Sequence, residues 1–258
     1  MYNELAISLK QQDGISVYDS RRLDCYSSKF GSAWLNAFPS KNLGLKLTDS
    51  QLRVAIALRL GCKICETHTC RCGKAVSEDG THGLSCKRSA GRFNRHAQLN
   101  DLVRRTLSSA NVPAVLEPPG LCREDGKRPD GLTLCPWNRG NSLVWDVTVI
   151  DSLAPSRLER NVHPLQEAER KKTRKYNSII ERGYIFQPVA FDTQGNCGPE
   201  TESFLKELGV RLRQATFEDR ASIFLNQRIS IMIQQYNFSC VSGTLSEGLL
   251  LEDVFNLI

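Results

Sequence analysis

The chain has 258 residues, 40% of them hydrophobic and 24% charged, with a net charge of +6. That balance excludes a disordered chain and leaves room for one sizeable domain or two small ones. The sequence contains no run of about eighteen apolar residues and its start lacks the shape of a signal peptide, so the expectation is a soluble intracellular protein with no membrane partner.

The positive charge is unevenly spread. Lys and Arg gather between Lys87 and Arg105 and again between Arg157 and Arg182, while the residues after Ser242 carry only Glu and Asp. Such patches suit a polyanion. Ten cysteines are present, and half of them crowd between Cys62 and Cys86 beside histidines. In an intracellular setting that crowding argues for metal rather than disulfides.

Residues 1–60 read as a helical linker region. Residues 1–10 form a weakly patterned helix, and residues 31–39 a short apolar helix ended by Pro39, with Trp34 in the core. Residues 49–60 place Leu52, Val54, Ala55, Ala57 and Leu58 on an amphipathic helix capped by Thr48 or Asp49. Residues 61–90 hold the cysteines. Cys70-x-Cys72 followed by His82-x3-Cys86 has the two-by-two grouping of a tetrahedral zinc site, with Gly73 turning the chain between the pairs. Cys62, Cys65 and His68 compete for the same ion. Four protein ligands leave no open position for water, so the Zn2+ would be structural.

Residues 91–238 carry a mixed α+β pattern. A helix over 91–111 has one apolar and one basic side and bears His96 and Asp101. His96 reads equally as a zinc-side ligand, a phosphate contact or a core residue. Strands follow at 114–117, 128–134 and 142–150, the second carrying Asp130 and the third Asp146. The turn-rich loop 135–141 makes the last two a hairpin that brings both carboxylates together. A carboxylate inside an apolar strand is costly unless it is paired or binds metal. Two of them supply the hard oxygens that Mg2+ or Mn2+ prefers, with Glu117 as a possible third acid. Residues 152–164 read as a mobile loop. A helix over 165–182 then aligns Ala168, Lys172, Lys175 and Tyr176 on one face, and Gly183 ends it. A fourth strand at 184–191, helices at 200–215 and 221–238, and a tail over 239–258 complete the chain.

Residues from Trp34 to Asn237 resemble the C-terminal part of non-LTR (LINE-type) retrotransposon polyproteins of the restriction-like endonuclease type. The resemblance rests on the CCHC cluster, residues 91–101 (Gly91 to Asp101), residues 125–131 around Arg128-Pro129-Asp130, Leu143-Val144-Trp145-Asp146, and Lys172 with Lys175-Tyr176. It implies a zinc knuckle on Cys70, Cys72, His82 and Cys86, followed by a PD-(D/E)xK core in the order helix, three antiparallel strands, helix, strand. Thr148 stands where that motif has its lysine, and the resemblance implies that the lysine has moved to the following helix, as Lys172 first and Lys175 second. It further implies Mg2+ or Mn2+ at Asp130 and Asp146, support from an acid on the first helix such as Asp101, DNA-backbone contacts from Arg92, Arg95 and Arg128, and a nuclear location. The reaction would be nicking of target DNA to prime reverse transcription. The Tyr-x-Asp-Asp signature of a reverse transcriptase is absent, so the expected partners are DNA, the element RNA and a polymerase encoded elsewhere or lost from this fragment. Two alternatives are a zinc-dependent nucleic-acid-binding protein without catalysis and a zinc-stabilised interaction protein.

Overall fold

The computed structural model describes residues 2–11, 14–122, 126–158, 160 and 162–245. Asp125 and the apolar end of the tail, residues 249–258, lie outside them. The chain opens with α1 (Tyr2–Lys10), α2 (Val17–Ser27), a 3-10 turn (Ala33–Asn36) and α3 (Asp49–Leu60). The cysteine-rich segment holds β1 (His68–Thr69), β2 (Ala75–Val76) and the single turn α4 (His82–Ser85). Then come α5 (Ala90–Ser109), β3 (Ala114–Leu116), β4 (Gly131–Thr133), β5 (Leu143–Ile150), the short α6 (Pro155–Leu158), α7 (Pro164–Lys175), α8 (Asn177–Glu181), β6 (Ile185–Asp192), α9 (Pro199–Thr216) and α10 (Ala221–Ser242). The result is a mixed α+β chain with two small sheets among the described residues. Among the described residues, no helix is long and apolar enough to cross a membrane.

Local chemistry sets several boundaries. Thr48 and Gln51 form a reciprocal capping box at the start of α3, and Gly61 ends that helix in the left-handed region at φ 73°. Pro164 and Pro199 sit in the first turns of α7 and α9, where a missing N–H costs nothing. The main sheet runs β3-β4-β5-β6, with β3, β4 and β5 antiparallel and β6 parallel to β5 over eight residue pairs, from Leu143↔Ile185 to Ile150↔Asp192.

The period of two along β5 divides the core. Leu143, Trp145 and Val147 face the main cluster built from α5, α9 and α10, with Leu99, Leu107, Leu208 and Ile233 buried there. Val144 faces the other way, against Tyr176 and Ile179, and Ile150 packs with Leu165 and Ala168 of α7. Asp146 shares this second face.

Several expectations need correction. The apolar helix over 31–39 shrinks to one 3-10 turn. Residues 155–158 form a short helix inside the expected irregular loop. The helix over 165–182 divides at Tyr176, whose ring packs 5.0 Å from that of Phe186 while its hydroxyl donates to the Arg128 carbonyl at 2.8 Å. Asp130 stands immediately before β4, not within it. The last helix continues past residue 238 to Ser242 because Cys240 and Val241 pack on Val54, Leu58, Ile64 and Leu84.

That packing is tight. A Cβ on Gly91 would come within 2.7 Å of the Cys240 backbone nitrogen. Gly→Ala in an open helix is stabilising by up to about 1 kcal/mol. At Gly91 the sign reverses, because backbone atoms cannot step aside: Gly91→Ala should cost about 1–3 kcal/mol in chemical denaturation.

Candidate metal centre and carboxylate–lysine cleft

The Cys/His cluster is assembled from two directions. The β1–β2 hairpin supplies Cys70 and Cys72 from its tip, where Gly73 donates its N–H to Cys70 O at 2.8 Å and adopts φ 86°. His82 opens α4 and Cys86 follows its last residue. The four ligand atoms all lie within 4.8 Å of one another, and among the described residues no other group of His, Cys, Asp and Glu meets that condition. Cys70 Sγ and Cys86 Sγ are 3.8 Å apart, and Cys72 Sγ is 3.3 Å from His82 Nε2. Zn–S bonds of about 2.3 Å at a tetrahedral angle give an S···S separation of about 3.8 Å. The cluster therefore has the donors and the spacing to hold a metal such as zinc. Burial and then the cation on Lys74 hold His82 below its usual range, which keeps its imidazole neutral, as a ligand must be.

The competing residues are engaged elsewhere. His68 lies 3.0 Å from Thr244 Oγ1 and 2.8 Å from Glu66 O. The Cys65 thiol turns to the Ser77 and Glu78 carbonyls, and Cys62 is exposed.

The second constellation lies on β5. Lys172, from α7, places Nζ 2.6 Å from Asp146 Oδ1 and 3.0 Å from Oδ2. Asp146 is 3% exposed. Burial raises its pKa, the ammonium of Lys172 opposes that rise, and the nearby charge of Asp130 adds to it. Asp130 sits across from Asp146 and accepts a hydrogen bond from the Val147 N–H at 2.6 Å. His96, on α5, brings Nε2 to 3.1 Å from both Asp130 Oδ2 and Val147 O. Burial alone would raise the Asp130 pKa, but His96 and the Val147 N–H outweigh it and hold the carboxyl below its usual range. Asn100, one turn beyond His96, accepts from the buried Trp145 Nε1 at 3.1 Å and places Nδ2 3.4 Å from His96 Nδ1. A cleft of about 320 Å3 opens beside these groups, lined by Arg92, Phe93, His96, Thr148 and Lys172 among others.

The structure thus joins Asp130, Asp146 and Lys172, and it separates the other candidates. Lys175 donates to the Tyr176 hydroxyl at 2.7 Å, so it braces the segment before Asp130. Asp101 pairs with Arg104 and Arg105 on its own helix, both at 2.7 Å, and does not reach the cleft. Glu117 is ion-paired with Arg128. Arg92 donates to the Ser85 and Cys86 carbonyls, tying α5 to the Cys/His cluster. Arg95 corrects the expectation most sharply. At 1% exposure it donates to Asn237 Oδ1 at 2.7 Å and to Leu84 O, so it is an internal strut at the back of the cleft.

The contact between His96 and Asp130 was not legible as such, although His96 and Asn100 stand four residues apart on a face otherwise apolar at Leu99 and Val103. Also unread was Glu169, fully buried on α7, which accepts from the Thr201 N–H at 2.8 Å and so caps the start of α9.

Two outcomes follow from these geometries. The purified protein should carry one zinc per chain by elemental analysis, lost in Cys70→Ser and Cys86→Ser and kept in Cys62→Ser. The His96–Asp130 pair has a defined pH window. The folded pKa of His96 is raised above 6.5, chiefly by its hydrogen bond to Asp130, so its stabilisation is fully present below that value and lost as pH rises through the folded one. Asp130 is lowered below 3.8, so its share is present above that value and lost on acidification. The pair is partly exposed and worth about 1 kcal/mol. His96→Gln should lower the melting temperature by about 2–4 °C near pH 5.5 and by less near pH 8.5.

The chain matches no protein-family model and no curated protein, so the functional reading rests on its own geometry.

Proposed function

We propose that this chain is a metal-dependent DNA endonuclease that nicks target DNA, of the restriction-like type found in non-LTR retrotransposons, with Asp130, Asp146 and Lys172 at its centre. The observation that carries the reading is the contact between Lys172 Nζ and Asp146 Oδ1 at 2.6 Å. A lysine from the following helix reaches the carboxylate from which the PD-(D/E)xK motif would place it two residues away. The element order α5, β3, β4, β5, α7, β6 supports the same reading, since it is the order that such a core uses.

The donor set fits Mg2+ or Mn2+. Asp130 and Asp146 offer hard carboxylate oxygens beside the cleft, whose wall includes Val147, and the Val147 carbonyl meets His96. These residues would hold the ion, which when bound supplies a hydroxide at neutral pH and polarises the scissile phosphate. Lys172, released from Asp146, would neutralise charge developing on that phosphate. His96 holds the Asp130 carboxylate at a fixed point beside Val147. The exposed cations of α7, Arg170, Lys171 and Arg174, with Arg88 beside the knuckle, form a surface for the DNA backbone. Phosphate contacts of this kind position the duplex and read no sequence.

Supercoiled-plasmid nicking by the zinc-loaded protein with Mg2+ or Mn2+ tests the proposal. Asp130→Ala and Asp146→Ala should abolish nicking, and Lys172→Ala should slow it by about a hundred-fold or more. Lys175→Ala should cost less, because its ammonium faces Tyr176. Salt-sensitive DNA binding with no cutting by the unaltered chain would sink the enzyme and leave the nucleic-acid-binding protein.

A further inference from the structure

A cavity of about 440 Å3 lies between α2, the Cys/His segment and the residues after β5, and shares no lining residue with the carboxylate–lysine cleft. Small-molecule sites have volumes of about 300–1,000 Å3, whereas a single water occupies about 30 Å3. Its lining includes Tyr18, Tyr26, Lys74, Asp151 and Gln194. None of these takes part in the proposed cleavage.

The polar groups here are held in place and left unfilled. Gln194 is 2% exposed, and its Oε1 has no hydrogen-bond partner. Burying an amide without a partner costs about 1–3 kcal/mol, so a native protein keeps such a group where something else meets it. The backbone of Gln194 is fixed by Asp192, which accepts the Gln194 N–H at 3.0 Å and the Asn196 N–H at 2.8 Å. Asp151, a lining residue, accepts the Leu153 N–H at 3.1 Å and the Thr193 hydroxyl at 3.2 Å, both on Oδ1. The third carboxylate of the lining, Asp79, is spent on its own turn, accepting from Ser77 Oγ and the Thr81 N–H. The Tyr18 phenol is pushed up to about 12, by burial first and then by the charges of Asp79 and Asp151, so it stays protonated beside them. Lys74 is exposed at the rim, on the hairpin that carries Cys72.

A ligand for this cavity presents adjacent N–H donors to a carboxylate and to the unpartnered amide oxygen of Gln194, a flat face to tyrosine rings and an anion to a lysine at the mouth. We infer that the cavity binds an unpaired guanine nucleotide, with N1–H and one N2–H on Asp151, the second N2–H on Gln194 Oε1 and the phosphate at Lys74. Adenine offers a single exocyclic donor and an acceptor at N1, which would face the carboxylate. Cytosine sets an acceptor beside its donor in the same way. Reading an extruded base by its pairing edge and an aromatic wall is a general mode of nucleic-acid recognition. The site goes beyond phosphodiester cleavage and does not require it.

Isothermal titration calorimetry on the full zinc-loaded chain tests the inference, with guanosine, adenosine and cytidine 5′-monophosphates and with 5′-phosphorylated single strands TTGTT and TTATT. Guanosine monophosphate should bind at least about tenfold more tightly than the other two, because a buried acceptor left unpaired is the penalty for the wrong base. Gln194→Leu and Asp151→Asn should each remove that preference, with melting curves showing that both variants fold. Lys74→Ala should weaken all nucleotides alike. Binding of both the mononucleotide and TTGTT identifies a strand as the source, and binding of the mononucleotide alone identifies a free nucleotide. Equal affinity for the three mononucleotides, or no binding at millimolar concentration, overturns the inference. Calorimetry reads binding without cutting, so a chain that fails to nick plasmid leaves this result unaffected.

Discussion

The cleft exists because β4 is short. Its ladder with β5 pairs Gly131 with Trp145 and Leu132 with Val144, and the last bond on this side joins the Asp130 N–H to the Trp145 carbonyl. Two residues further along β5, Val147 has an N–H and a C=O directed to the side where no strand continues. Buried backbone groups need partners. Here side chains supply them: the Asp130 carboxylate takes the N–H and the His96 imidazole meets the carbonyl. A longer β4 would satisfy Val147 with backbone and displace the Asp130 carboxylate and the His96 imidazole from it. Gly131 permits the arrangement, since a Cβ there would lie 2.0 Å from the Trp145 ring.

The electrostatics around that opening are balanced in pairs. Asp146 is nearly inaccessible, and an isolated carboxylate in such a position would cost several kcal/mol. Lys172 offsets this at 2.6 Å, although the desolvation of both ions takes back most of the Coulomb gain. The pair is thus a poor source of stability and a sensitive chemical arrangement: any group that draws the ammonium away must itself compensate Asp146. Asp130 differs. It keeps a backbone N–H as well as His96, so its charge is secured twice, and its carboxyl is held down where that of Asp146 is pushed up. Two carboxylates at one site with opposite shifts give unlike partners, one fixed and one responsive.

Much of this was legible in the chain. The Cys-x-Cys and His-x3-Cys pairs met as their spacing implied, since a hairpin tip and a single helical turn are local structures. The β-branched run around Asp146 and the helix bearing Lys172 also read correctly, because periodicities of 2 and 3.6 survive into the fold. Long-range contacts were not legible. Arg95 lies in a basic run and looked like a phosphate contact, yet its burial depends on Asn237, 142 residues away. His96 had three plausible roles on one helix, and only the unpaired edge of β5 selects among them. The break at Tyr176 has no proline or glycine to announce it. It arises from the tertiary bond to Arg128.

The same reasoning links the cysteine cluster to the cleft. Arg92 lines the cleft while donating to the carbonyls of Ser85 and Cys86, and Cys86 is one of the four metal-capable ligands. On the opposite side, Gly83 and Gly91 let the cluster and α5 approach the backbone of Cys240 within distances that no Cβ tolerates. The first turn of α5 is therefore held between the loop of the metal-capable cluster and an inflexible helix end. His96 stands one turn further on. A small knuckle lacks the core to fold by itself and takes on the order of 10 kcal/mol from metal binding. In this chain a metal on the cluster would spend that free energy at the base of the helix that fixes His96 on Asp130, which makes the order of the cysteine loop and the geometry of the carboxylates parts of one packing problem.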